Sequence, residues 1–286
     1  MITSVPQTMN KSTNKKNICV TCGTQFPPDE VLPELCPICN DDRQYINPNG
    51  QTWISADELN DTHKVKITKI NEYLYSLKVI PDFAIAQRAF LIISPQGNIL
   101  WDCIPLLNDE VVEFINSMDG LKAIAFSHPH YYSNMNEWAQ IFDCPVYIHE
   151  LDEQWINYKS KFITLWNGDA KLLWDGINII HIGGHFAGSC VLHLPSANGK
   201  GTVFCGDTFY IAPSKRHIAV MYSYPNQILL PKADFLAVYK RSAGLEFDTL
   251  LGAFERQNLT ENAQLLFTNS MRRYIDSYGI ELESLL

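Results

Sequence analysis

Ser127-His128-Pro129-His130-Tyr131-Tyr132-Ser133 joins an apolar run of strand length, Leu121 to Phe126, to a segment that opens polar and turns helical from Ser133. The change of period predicts a β-strand running into an α-helix, with Ser133 as N-cap and a histidine pair at the junction. Side chains at the carboxyl end of a strand point into the crevice beyond the sheet edge, where α/β folds place ligands. Two imidazoles two residues apart share one side of an extended backbone and can reach one ion. A catalytic zinc takes three protein ligands and leaves one position open, so a third imidazole must come from elsewhere.

The third is best placed in Gly183-Gly184-His185-Phe186-Ala187-Gly188-Ser189. Paired glycines before a histidine give a tight loop that pushes one ring forward, a freedom a core histidine does not need. Next comes Phe204-Cys205-Gly206-Asp207-Thr208, a strand ending in a carboxylate that can complete a metal shell or hold a water. The other histidines read more plainly. His149, His181 and His193 lie in strand-like contexts as core or edge residues, His63 is a surface residue, and His217 follows Lys215 and Arg216 in a basic loop.

Eight cysteines are present, and four of them, Cys19, Cys22, Cys36 and Cys39, are spaced C-x2-C-x13-C-x2-C. Two such knuckles wrap one tetrahedral ion in four thiolates, and Gly23 suits the tight turn after the first. A structural zinc is expected. Iron in a rubredoxin-like arrangement is the rival, and Asn40, where rubredoxins have glycine, speaks against it. A module this small has almost no core, so metal binding, about 10–16 kcal/mol in zinc peptides, carries most of its folding free energy. Cys103, Cys144, Cys190 and Cys205 stand singly in apolar segments and read as small buried hydrophobes.

The 286 residues, 46% hydrophobic and 12% aromatic, are a globular composition with ample core. A net charge of −9 without a dense basic stripe argues against nucleic acid as the main partner. No run approaches the about 18 apolar residues that span a bilayer, so a cytoplasmic protein with no membrane contact is expected. Along the chain, residues 1–17 read as a disordered tail, 18–44 as the ribbon, 45–65 as a connector and 66–286 as one domain. That domain opens with strands, passes through β-α-β-α-β from Phe90 to His149, continues in short strands to Cys205, and ends in a helix from about Glu261 to Tyr278.

In this order the HxH, GGHxxGS and GDT motifs resemble the metallo-β-lactamase fold superfamily, over roughly residues 66 to 286. The hairpin ending Leu100-Trp101-Asp102 is similar to that superfamily's opening strands, with Asp102 in the supporting-carboxylate position. The HPHYY and GGHF-x-GS motifs with an N-terminal zinc knuckle resemble a metallo-hydrolase-like subgroup. The resemblance implies an αββα sandwich beside the ribbon, and hydrolysis through a metal-bound hydroxide. It makes His128, His130 and His185 ligands of one metal, zinc or else iron or manganese, with Asp207 beside it.

The departures from HxHxDH matter as much. Tyr132 stands at the Asp position, Ser133 at the last His position, and Leu251-Gly252-Ala253-Phe254 lacks the expected late histidine. A single-metal site is therefore expected, acting on a small ester, thioester or lactone. Asp207, Tyr132 and Glu137 are its catalytic candidates, and Tyr131, Lys215 and Arg216 its substrate-binding ones. Glu137 lies one helical turn after Ser133 and is a candidate general base, an ordinary helix-surface role being the plainer account. The alternative to a hydrolase is a non-catalytic scaffold whose ribbon docks a protein partner.

Overall fold

Period-two alternation along the strands sorts their side chains between two layers, and the architecture follows from where each layer goes. The computed structural model describes residues 15–196 and 199–281, so the tail expected over residues 1–17 lies, through residue 14, outside the described residues. One sheet takes seven strands in chain order: Lys64–Asn71, Leu74–Ile80, Arg88–Ile92, Ile99–Trp101, Ala123–Ala125, Val146–His149 and Ile163–Trp166. Its first four pair antiparallel and the remaining three join in parallel. A second sheet takes six: Ala170–Leu172, Asn178–His181, Cys190–Ser196, Gly199–Gly206, Thr249–Gly252 and Asn258–Leu259, with one parallel pair, the fourth and fifth.

The α-helices of the described residues are α1 (Ala56–Thr62), α2 (Asp109–Asn116), α3 (Met135–Phe142), α4 (Lys232–Ser242) and α5 (Ala263–Ser277). Phe90, Ile92, Ile99, Trp101 and Ala125 of the first sheet meet Ile179, Leu192, Phe204 and Leu251 of the second in the layer between the sheets. Phe90 and Phe204 touch edge to face at 4.9 Å. Their sequence neighbours point the other way. Ala89, Leu91, Leu100 and Ile124 pack with Val111 and Ile115 of α2 and Trp138 of α3. Val191, Val203, Cys205 and Leu250 pack with Phe235 of α4 and Phe267 of α5. The fold is an αββα sandwich, each large buried side chain contributing roughly 1.5–3 kcal/mol relative to exposure.

Local signals explain several elements. Asn108 caps α2 by accepting from Val111 N–H at 3.1 Å, with Asp109 and Glu110 in the first turn complementing the helix dipole. Ser55 and Glu58 form a capping box on α1. The stretch expected as a connector thus contains a helix, and its Trp53–Ile54 pairs antiparallel with Ile18–Cys19 of the ribbon. Ser133 does not cap α3. It sits in the left-handed region (φ 44°), its hydroxyl accepts from Gln87 Nε2 at 3.1 Å, and the N-cap is Asn134.

A 3-10 turn at Glu150–Trp155 carries Asp152, 1% exposed, beneath the Gly183–Ser189 loop, where its Oδ1 accepts from Gly188 N–H at 2.8 Å. A Cβ at Gly188 would lie 2.7 Å from Asp152 Cγ, so only glycine lets the carboxyl approach. Burial pushes Asp152 up to about 7, opposed in part by Gly188 N–H and Arg43. Its folded pKa exceeds the ~3.9 of an unfolded chain, so the folded state holds the extra proton. The resulting stability is fully present below about pH 4 and is lost as pH rises through about 7. Asp152→Asn keeps an acceptor and removes the ionisation. Its urea midpoint relative to the native chain is expected to rise between pH 5 and pH 8; a fall over that range would mean that Asp152 is ionised and paired when folded.

Candidate metal centres

His128 lies three residues beyond strand Ala123–Ala125 in extended backbone (φ −172°, ψ 172°), and Pro129 then starts a 3-10 turn over Pro129–Tyr131. The pair therefore does not lie along one continuous strand, as the H-x-H spacing predicts. Proline's fixed φ of about −65° begins the turn, which brings the His130 ring round to 5.0 Å from that of His128. Gly183 and Gly184 both have positive φ, 75° and 87°, as the paired glycines predict, and deliver His185 to 4.9 Å from His128. Asp207 follows strand Gly199–Gly206. One ligand atom from each of His128, His130, His185 and Asp207 lies within 4.8 Å of all the others, and all four residues are buried.

Tetrahedral bonds of about 2.1 Å would space ligand atoms about 3.4 Å apart. His130 Nδ1 and His185 Nε2 are 3.4 Å apart, and His128 Nε2 lies 3.5 Å from Asp207 Oδ2. His128 Nε2 is buried without a hydrogen-bond partner, which native folds rarely tolerate. Hydrogen bonds behind two of the rings aim their lone pairs inward. His185 Nδ1–H donates to Tyr222 O at 2.8 Å, leaving Nε2 bare. At His128 the same is done through a relay: Asp102 accepts from Ser127 N–H and O–H, both at 2.8 Å, and Ser127 Oγ in turn accepts from His128 Nδ1–H at 2.9 Å.

Electrostatics favour a cation here. Burial, and then the neighbouring rings, hold His130 well below its ordinary value, and the same causes hold His185 down to about 3, so both are neutral ligands at physiological pH. Burial works to raise Asp207, but His128, His185 and the Tyr131 hydroxyl outweigh it and hold the carboxyl below its usual range. Burial pushes Asp102 up to about 8, and a cation among the imidazoles would draw it back down. Three imidazoles and a carboxylate suit zinc, iron or manganese.

In the ribbon, Cys19 and Cys39 Sγ are 3.7 Å apart, as are Cys22 and Cys36 Sγ. Four thiolates at about 2.3 Å from one zinc would be spaced about 3.8 Å. All eight cysteines are free thiols, so the short S–S distances are not disulfides. The two knuckles match: Gly23 N–H donates to Cys19 O at 2.8 Å and Asn40 N–H to Cys36 O at 2.9 Å. Gln51 Nε2 donates to Cys19 Sγ at 3.2 Å. Such a donor set fits zinc or iron.

The histidine centre opens into a cavity of roughly 710 Å³ whose walls include Ile85, Tyr210, Met221, Tyr224 and Phe254, with His130, His185 and Asp207. Of the remaining candidates, Tyr131 is at the centre, its hydroxyl donating to Asp207 Oδ1 at 2.7 Å. Tyr132, expected to be catalytic, is not. Its ring turns into the core against Phe126, since successive residues of the turn project in different directions. Glu137 lies away from the cavity and bonds Gln25 of the ribbon and Asn134, as a surface residue of α3 would. Lys215 and Arg216 are exposed at the tip of a hairpin pairing Tyr210–Ile211 with Ile218–Ala219, and neither lines the cavity. Ser127, Arg43 and Gln44 are site residues that no sequence pattern singles out. Ser127 directly precedes the histidine pair, and only its partner Asp102 shows its use. Gln44 lines the cavity from the ribbon, which no local pattern foretells.

Solved structures share this fold. The fold is that of the metallo-β-lactamases. FIM-1 from Pseudomonas aeruginosa superposes with a TM-score of 0.53 at 13% identity, over 76% of this chain and 97% of that one. A metallo-β-lactamase from Hirschia baltica gives 0.51 at 13% identity, over 73% and 96%. No family model matches the chain. By sequence it belongs to the family of the uncharacterized protein YmaE of Bacillus subtilis (strain 168), with 40% identity over 268 residues, 93% of this chain and 97% of that protein. No helix among the described residues is long and apolar enough to cross a membrane.

Cys36→Ala removes one of four sulfurs that could hold an ion in a segment with a core of only a few buried residues. The purified variant is expected to carry one metal equivalent fewer, with fast amide exchange across residues 18–44 and a lowered melting temperature. Full metal content with native exchange would exclude a structural ion there.

Proposed function

We propose that the chain is a metal-dependent hydrolase with one catalytic ion, acting on a small neutral ester, thioester or lactone. The observation that carries this is the tetrahedral spacing of three converging imidazoles and an ionised carboxylate at the floor of an apolar cavity. Zinc bound to three histidines supplies a Lewis acid and lowers the pKa of its water toward about 7.

The protein's own groups support a single ion. Tyr131, kept protonated by burial, donates to Asp207 Oδ1, so one oxygen of the carboxylate is already engaged. The other, Oδ2, faces the histidines, 3.5 Å from His128 Nε2, and is left to the ion and its water. Tyr224 O–H donates to Asp207 O at 2.8 Å and fixes its main chain. Phe254 presents a ring to the cavity from the stretch where a late histidine would be needed. FIM-1, of the same fold, is described in a mono-zinc form. Among the described residues no lysine or arginine lines the cavity, which favours a neutral ligand with an apolar acyl or alkyl part.

His185→Ala is expected to lose the ion of the histidine centre and all hydrolysis while keeping the ribbon's ion. Tyr131→Phe is expected to keep both ions and lose roughly 10- to 100-fold in kcat, the worth of one hydrogen bond to a charged group, about 1.5–3 kcal/mol. The reading falls if protein with both centres loaded hydrolyses no member of a panel of short esters, thioesters and lactones.

A further inference from the structure

We propose that the ribbon is the positioning element of the histidine centre: Arg43 holds His185 in place, so loss of the ion at the four cysteines weakens metal binding at the three histidines. The proposal rests on the histidine centre holding a metal and not on hydrolysis.

Arg43 lies four residues after Cys39, and its guanidinium is fixed on every side. Nε–H donates to His185 O at 2.6 Å, across 142 residues of chain. Nη1 is paired with Asp41 at 2.8 Å. The plane lies 4.4 Å from the Phe186 ring and 4.2 Å from that of Tyr222. Tyr222 is the residue whose carbonyl sets the His185 tautomer. Arg43 therefore braces His185 twice, at its own carbonyl and through the residue that orients its ring. The backbone of this ribbon end is clamped as well. Ser223 O–H donates to Arg43 O at 3.1 Å, and Asn226 Nδ2 donates to Asp42 O at 2.9 Å and to Gln44 O at 2.8 Å.

Charge attraction is not the cause, because a guanidinium repels a nearby cation, and Asp41 offsets that repulsion. What Arg43 supplies is geometry: a planar donor that stacks and bonds at once. Lysine, a point charge on a flexible stem, cannot reproduce it. Only the folded ribbon presents Arg43 at this height, and the ribbon is held by its ion.

Cobalt(II) is a suitable probe in the full-length chain. Thiolate-to-cobalt charge transfer reports the ribbon, and the visible bands of an imidazole–carboxylate site report the histidine centre. Arg43→Ala and Arg43→Lys are each expected to weaken cobalt at the histidine centre by roughly 10- to 100-fold, as loss of a ligand-orienting partner does. The ribbon's charge-transfer band should be unchanged. Cys36→Ser, which empties the ribbon, should weaken the histidine centre by at least as much. Native affinity at the histidine centre in Arg43→Ala overturns the proposal. Should that variant fail to fold, Arg43→Lys keeps the stem and charge but not the planar donor, and native affinity there overturns it equally. If every substrate panel is negative yet Arg43→Ala still weakens cobalt binding, the hydrolase reading falls and this one stands. Hydrolysis with unaltered affinity gives the reverse.

Discussion

Burying imidazoles without charge is the constraint on which the rest of the structure depends. A buried ring nitrogen that carries no proton and meets no donor is costly unless a cation completes it, so each lone pair must be aimed and each opposite N–H satisfied. At two of the three rings the protein meets that demand with backbone and short side chains: Tyr222 O behind His185, and Ser127 with Asp102 behind His128. The demand reaches well beyond the rings. Asp102 adopts a left-handed conformation (φ 59°) to bring its carboxylate to Ser127. Gly206 has no Cβ because one would lie 2.4 Å from Ser127 Oγ.

The sandwich supplies the rigidity such aiming needs. His128 follows strand Ala123–Ala125 of one sheet and Asp207 follows strand Gly199–Gly206 of the other, so their distance is set by how the two sheets pack. Arg88, from the first sheet, donates from Nη2 to Gly252 O at 2.9 Å in the second and bonds Asn258. Burial lowers it to about 10, still high enough to keep it charged at physiological pH. That tie, with the aromatic contact of Phe90 and Phe204, keeps the sheets from sliding at the edge where the ligands meet.

What the sequence discloses is what local chemistry encodes. The cysteine spacing and the paired glycines each demand a particular backbone, and both are found. Strand alternation sorts the layers, and α5 is legible from its period. Residues that act at a distance are not legible. Tyr131 and Tyr132 are alike in one dimension, and only the 3-10 turn after Pro129 sends the first to Asp207 and the second into the core. Glu137 shares a helical face with the junction, yet its nearest polar partner comes from the ribbon. Helix α4 carried a readable signal in Phe235 and Val238, spaced for one helical face and following Pro231, but it lies in a stretch that announces no motif.

Arg43 and Ser223 are 180 residues apart in the chain. Closing a loop of that span costs entropy that local contacts do not repay, so such pairings form late in folding. During synthesis the ribbon and the first sheet leave the ribosome well before the hairpin that pairs Met221–Ser223 with Ile228–Leu229, whose Asn226 clamps Asp42 and Gln44. The histidine centre is thus assembled from both ends of the molecule at once. It matures only when the chain is nearly whole, and a shortened product that ends before this hairpin carries all three histidines but lacks Tyr222, whose carbonyl aims His185.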